Sequence, residues 1–356
     1  MSAAGPNQVE RVDRFRGCLL GLAIGDALGH PTEFVASVPD IVARWGGRVE
    51  TFQAAGVHRP GTFTDDTQMT IGVARALIRR GHGSTDELMT VLGQELVAWL
   101  RSPQNDRAPG GTCLRGCSAL EGGTPWQSAG VAASKGCGAA MRAAPIGLYF
   151  ADDIEAMIVA AAAQSVLTHR HPTGIASSVA AAAPVAHVVR TGSLDGIVAF
   201  TRACVNALSE DLLVDIGCPD DLARSIGVSE MLRKLDELDA CVGAETDDVC
   251  SLLGEAWVGE EAVATGLWCA LKAGRDYRAS IVRGANSAGD SDSIATIAGS
   301  ISGALVGIDA IDEHYRAGVE KSEIIDGLAR ALFDASIGED LPRTGPALDV
   351  FGAERG

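Results

Sequence analysis

Apolar residues along this chain recur mainly at spacings of three and four, the period of an α-helix buried on one face. After Thr64, Met69, Val73 and Leu77 share a face, with Ile71, Ala74 and Ile78 nearby. After Ser293 the same period runs through Ile294, Ile297, Ile301 and Leu305. Further helices are predicted over residues 11–28, 86–100, 113–120, 154–169 and 175–189, the last with Pro184 set to kink it. Two or three more fall between 191 and 241, another runs to Lys272, and another covers 277–283. Residues 35–60 are irregular, with a short strand expected around 49–52. No hairpin signal stands out, so the pattern predicts an all-α bundle with one core.

Two of these helices carry small-residue stripes. Gly17, Gly21, Gly25 and Gly29 fall every fourth residue, and so do Gly299, Gly303 and Gly307. A glycine in a helix costs about 1 kcal/mol against alanine. The compensation expected is close approach of another helix, with the two striped faces packing on each other.

Composition narrows the picture. Of 356 residues, 47% are hydrophobic but only 4% aromatic, with 43 glycines, so the core must be built from small aliphatic side chains. The formal net charge of −17 argues against a general nucleic-acid binder, which needs a basic footprint. Nine scattered cysteines form no CxxC pair and read as small buried hydrophobes in a reducing compartment. No signal-peptide core is seen at the start, and the longest apolar runs are broken before they could span a membrane. A cytoplasmic protein is expected. The main body is taken as one domain over 11–340, with residues 1–10 and 341–356 loosely ordered.

The chemistry concentrates at two helix starts, Thr64-Asp65-Asp66-Thr67 and Asp290-Ser291-Asp292-Ser293. An acidic residue there can simply cap the helix and meet its dipole. One cap needs one acceptor, however, and here the carboxylates come in pairs. Carboxylates with hydroxyls make an oxygen donor set suited to Mg²⁺ or Mn²⁺ rather than zinc. Ser134-Lys135-Gly136-Cys137-Gly138 leads through Met141 and Arg142 as a small-residue loop opening into a helix, which serves either turn geometry or a diphosphate cradle. His169 closes a predicted helix, where a histidine also suits the dipole. Glu33 sits in a loop after Gly29-His30-Pro31, a place where a lone glutamate is usually solvated.

Taken together, these stretches resemble the ADP-ribosylglycohydrolase family, the group that includes the dinitrogenase reductase-activating glycohydrolase. The resemblance rests on residues 21–29 with Glu33, on Thr64-Asp65-Asp66-Thr67, on Gly136-Cys137-Gly138-Ala139-Ala140-Met141-Arg142, and on Gly289-Asp290-Ser291-Asp292-Ser293. Thr168-His169 and the segment with Trp257 and Glu260-Glu261 are also family-like. It implies a single-domain orthogonal helical bundle and two Mg²⁺ or Mn²⁺ ions held by Thr64, Asp65, Asp66, Asp290, Asp292 and Ser293. Ser293 departs from the threonine usual in the family. The resemblance also implies that Ser134, Lys135, Gly136, Cys137, Gly138 and Met141 hold the diphosphate of ADP-ribose, with His169 beside them and Asp106 as a substrate-side acid. The activity implied is hydrolysis at ribose C1″ of an ADP-ribosylated protein or small molecule, with ADP-ribose as product and arginine as the favoured acceptor. Asp66 or Glu33 would move the proton. The competing readings are a non-catalytic ADP-ribose-binding or crystallin-like protein and a two-metal phosphohydrolase.

Overall fold

The computed structural model describes residues 6–80 and 82–338. Its elements are α-helices with three short 3₁₀ turns, and no β-strand occurs among the described residues. One apolar cluster runs from Phe15 to Phe333 and draws on helices along the whole chain. The first helix, Pro6–Gly29, starts five residues before the expected 11. Residues 1–5 and the tail at 341–356 lie outside the described residues, as does Gly81 of the expected stop signal.

The centre of the bundle is the pair Pro6–Gly29 and Ser291–Val306. Their glycine stripes face each other, as the spacing predicts. A Cβ added at Gly21 would stand 2.6 Å from the carbonyl oxygen of Gly299, and one at Gly25 would strike the backbone of Ala295. At the far end the obstruction at Gly29 is Asp292 itself. Contact is therefore backbone on backbone, closer than any larger side chain allows. This contact brings residue 29 beside residue 292 although the sequence separates them widely.

Other helices wrap this pair. Tyr277–Ala285 and Gly259–Ala273 pack on Ser291–Val306, while Ser322–Ser336 lies against both Pro6–Gly29 and Asp65–Arg80. Pro172–Thr191 runs on through Pro184 and has the length and mean hydropathy (1.3) of a membrane-crossing segment. That stretch is wholly buried in the bundle, where alanines let neighbouring helices close on it. The strand expected at 49–52 does not form. The Val49 N–H donates to the Asn286 side chain at 2.7 Å, and its carbonyl accepts from the same amide at 2.9 Å. A side chain has taken the place of a strand partner.

Candidate active site

Asp26 closes the first helix and is fully buried. One carboxylate oxygen accepts the Thr64 N–H at 2.8 Å. The other accepts the Thr67 N–H at 2.9 Å and the Thr67 hydroxyl at 2.5 Å. These are the orphan donors at the start of Asp65–Arg80, so a residue from another helix caps this end. The Thr64 hydroxyl accepts the Asp66 N–H at 3.3 Å. Asp65 and Asp66 are thereby released from capping. Asp65 accepts the Gly110 N–H at 3.2 Å from the opposite loop, and Asp66 accepts the Ser293 hydroxyl at 3.0 Å.

The second helix start behaves alike. Asp290 stands at the N-cap of Ser291–Val306, yet its side chain makes no capping bond. Its N–H is anchored on the Glu255 carbonyl at 2.8 Å, and its carboxylate accepts the Cys137 thiol at 2.9 Å. Ser291 faces away from the cleft. It bonds the Gly29 carbonyl at 3.2 Å and lies 3.0 Å from the Thr32 hydroxyl. One oxygen of Asp292 has no partner at all, and neither does one oxygen of Glu33. Both side chains are buried, at 3% and 7% exposure.

Glu33, Asp290 and Asp292 present one oxygen each within 4.8 Å of one another. Asp65, Asp66 and Ser293 line the same cleft, which encloses about 610 Å³ counting its open mouth. Burial raises the Glu33 carboxyl to about 11, reinforced by Asp292, Asp290, Asp65 and Asp26. Burial likewise holds Asp65, Asp66 and Asp290 well above the usual carboxylate range, with neighbouring carboxylates adding to the effect. Asp26 rises only to about 6, because the bonds from Thr67 and Thr64 oppose burial and Asp292. The nearby cation Lys135 is paired with Glu260 at 2.6 Å and Glu230 at 3.0 Å. A crowd of buried carboxylates with orphaned oxygens is what a hard cation stabilises. The donor set, all oxygen, fits a hard divalent cation.

The facing wall is the loop Gly136–Gly138 with Met141, His169, Cys113 and Thr112. Cys137–Ala139 is a 3₁₀ turn, and the next α-helix is the short Ala144–Tyr149. The loop therefore does not open directly into a long helix, as its sequence suggests. It rests on His169: a Cβ at Gly136 would be 3.2 Å from Nε2, and one at Gly138 3.0 Å from Cε1. His169 is buried with Nδ1 2.9 Å from the Thr168 hydroxyl. Burial, with Arg142 and Arg115, lowers its pKa to about 3, so the ring is neutral. Beneath lies the buried Arg142, bonded to Gln164 and Thr168.

Four of the expected residues do not line the cleft. Thr64 lies below it, Ser134 bonds Thr112 at 3.0 Å, Lys135 is held in its two ion pairs, and Asp106 is exposed on the preceding loop. Residues with structural claims on the site that were not singled out for it include Asp26, Gly110, Thr112, Cys113 and the cleft-lining Trp257. The signal for Asp26 was an acid inside an apolar, glycine-striped helix. For Trp257 it was only a family-like segment.

Comparison with known proteins then gives a consistent answer. The chain matches the ADP-ribosylglycohydrolase family over residues 7–342. It is 32% identical over 195 residues to the ADP-ribosyl-dinitrogen reductase glycohydrolase of Rhodospirillum rubrum, covering 50% of this chain and 58% of that protein. It is 26% identical to the ADP-ribosylarginine hydrolase Tri1 of Pseudomonas putida, over 91% of this chain and 79% of the other. Among solved structures, an ADP-ribosylglycohydrolase-related protein complex shares the fold, with a TM-score of 0.69 at 23% identity, covering 92% of this chain and 99% of that one.

Proposed function

The chain belongs to the ADP-ribosylglycohydrolase family, and we propose that it is a divalent-metal-dependent hydrolase of the bond between ribose C1″ and an arginine side chain. The observation that carries this reading is the pair of orphaned buried oxygens, on Glu33 and Asp292, among carboxylates from both helix starts. An ADP-ribosylarginine hydrolase among the relatives supports arginine as the acceptor.

Asp65, Asp66, Asp290, Asp292 and Ser293 would hold a pair of Mg²⁺ or Mn²⁺ ions, with Thr64 behind them and Glu33 within reach. Bound there, the ions would orient the ribose hydroxyls and act as Lewis acids toward the charge that develops on the sugar. The chain's own groups do the rest. Asp26 and the Thr64 hydroxyl cap the helix so that Asp65 and Asp66 stay free. The neutral His169 supports the loop Gly136–Gly138, whose small residues let a diphosphate approach the backbone.

Departure from C1″ builds oxocarbenium character and requires a proton on the leaving nitrogen; water then adds at C1″, and its proton returns to the carboxylate that gave one up. Two side chains were candidates for that proton. Both line the cleft, but Asp66 is engaged by the Ser293 hydroxyl, while Glu33 has a free oxygen. That contrast favours Glu33 as the group that moves it.

The test is release of ADP-ribose from ADP-ribosylarginine with Mn²⁺, with EDTA, and in Asp65→Ala and Asp292→Ala. Turnover should require the metal and vanish in both variants. Full turnover of either variant in EDTA overturns the metal mechanism, and release of phosphate instead of ADP-ribose overturns the glycosidase reading.

A further inference from the structure

The cleft has an aromatic lip that the proposed chemistry does not use. Phe34 follows Glu33 directly and is 72% exposed; Trp257 is 41% exposed and lines the cleft. Their rings stack with centroids 6.0 Å apart and planes 14° from parallel. Two large apolar rings held in water, one against the other, form no part of the core.

Trp257 is placed there by deliberate backbone geometry. Ala256, fully buried, has φ +66°, a left-handed conformation that costs a non-glycine residue on the order of 1–3 kcal/mol. Its N–H is held by the Glu261 carboxylate at 3.2 Å. On one side the Glu255 carbonyl takes the Asp290 N–H; on the other, Gly259 N–H donates to the Lys135 carbonyl at 2.8 Å. The indole N–H donates to the Glu255 carboxylate at 3.2 Å, which fixes the ring plane. The segment carrying Trp257 is thus tied both to the acidic cluster and to the facing loop. The left-handed strain is retained where it aims a ring at the mouth.

We propose that the Phe34–Trp257 pair is the acceptor-recognition lip of this site, taking the planar guanidinium of an ADP-ribosylated arginine against its ring faces. This rests on the arginine-linked reading above. An aromatic face suits a planar cation, because its ring quadrupole supplies cation–π attraction. A neutral serine hydroxyl or acyl oxygen gains nothing from it. Phe34 ties the lip to the neighbouring Glu33, the residue assigned to the proton of the leaving nitrogen.

The test compares Phe34→Ala, Trp257→Ala and Trp257→Phe for kcat/KM on ADP-ribosylarginine and for the Kd of ADP-ribose, all with Mn²⁺. Both rings are surface-exposed, and thermal unfolding of each variant confirms the fold. Each alanine variant should lose about 3- to 30-fold in kcat/KM, the range of a cation–π contact, mainly through KM. ADP-ribose binding should change less than twofold, and Trp257→Phe should recover most of the loss. An equal weakening of ADP-ribose binding, or unchanged kcat/KM in both alanine variants, overturns the lip and leaves the hydrolase reading standing. Wild-type protein that releases no ADP-ribose from the arginine substrate overturns both.

Discussion

Gly29→Ala is the substitution that best tests how the fold builds the site. Gly29 has φ −77° and ψ −29°, so alanine fits its backbone without strain and only the new methyl group matters. That methyl would lie 2.5 Å from the Asp292 Cα, 2.6 Å from the Ser291 carbonyl oxygen and 2.7 Å from the Asp292 nitrogen. All three are backbone atoms of the second helix and cannot swing aside. Ordinary contact begins near 3.4 Å, so that helix start must retreat by about 0.9 Å, beyond the roughly 0.5 Å tolerance of a preorganised site. Asp292 and Asp290 would move with it, away from Asp65 and Asp66. Overpacking costs about 1–3 kcal/mol, and a 1 Å error in a reacting constellation costs about 100-fold in rate. The expectation is a loss of about 10-fold or more in Mn²⁺ affinity and about 100-fold in ADP-ribose release. Mn²⁺ titration followed by thermal shift and by electron paramagnetic resonance measures the first. Gly21→Ala is the control: its methyl meets Gly299 at the same 2.6 Å, but about 12 Å up the helix at 1.5 Å per residue. It should destabilise similarly and disturb metal affinity much less. If Gly29→Ala is more stable than wild type, or keeps its Mn²⁺ affinity within twofold, the glycine stripe does not set the site's dimensions.

Other outcomes follow from the same geometry. Asp292→Asn should abolish the Mn²⁺-induced rise in melting temperature, which at 100 times Kd amounts to about 2.7 kcal/mol in the wild type. A variant that still responds fully to Mn²⁺ would contradict the account of the orphaned oxygen. Asp26→Ala strands the N–H groups of Thr64 and Thr67 and the Thr67 hydroxyl. It should cost on the order of 3–5 kcal/mol in urea unfolding, with no loss expected if water replaces the carboxylate fully. His169 takes a proton near pH 6.5 when unfolded but only at about 3 when folded. Its contribution is therefore complete at neutral pH and is lost as pH falls below 6.5, by about 1.4 kcal/mol per unit. The raised carboxylates act in the opposite sense when metal-free, so His169→Gln should be compared with wild type in Mn²⁺ between pH 6.5 and 5. The variant should show the shallower decline.

The sequence alone determined the helical class, because a period of three to four residues is a local property that any window displays. It also determined that Thr64–Thr67 and Asp290–Ser293 start helices, and the matched glycine stripes announced which two helices meet. What it could not decide was which carboxylates are spent on capping and which are free. That depends on Asp26, which reaches across 38 residues to the Thr64 N–H. Only the folded chain could show that Lys135 turns from the cleft to Glu230 and Glu260, that Asp106 stays outside, and that Trp257 meets Phe34 at the mouth. Periodicity reports which face of an element is buried. Hydrogen bonds and ion pairs between elements remote in sequence exist only once backbone contact has fixed their distances.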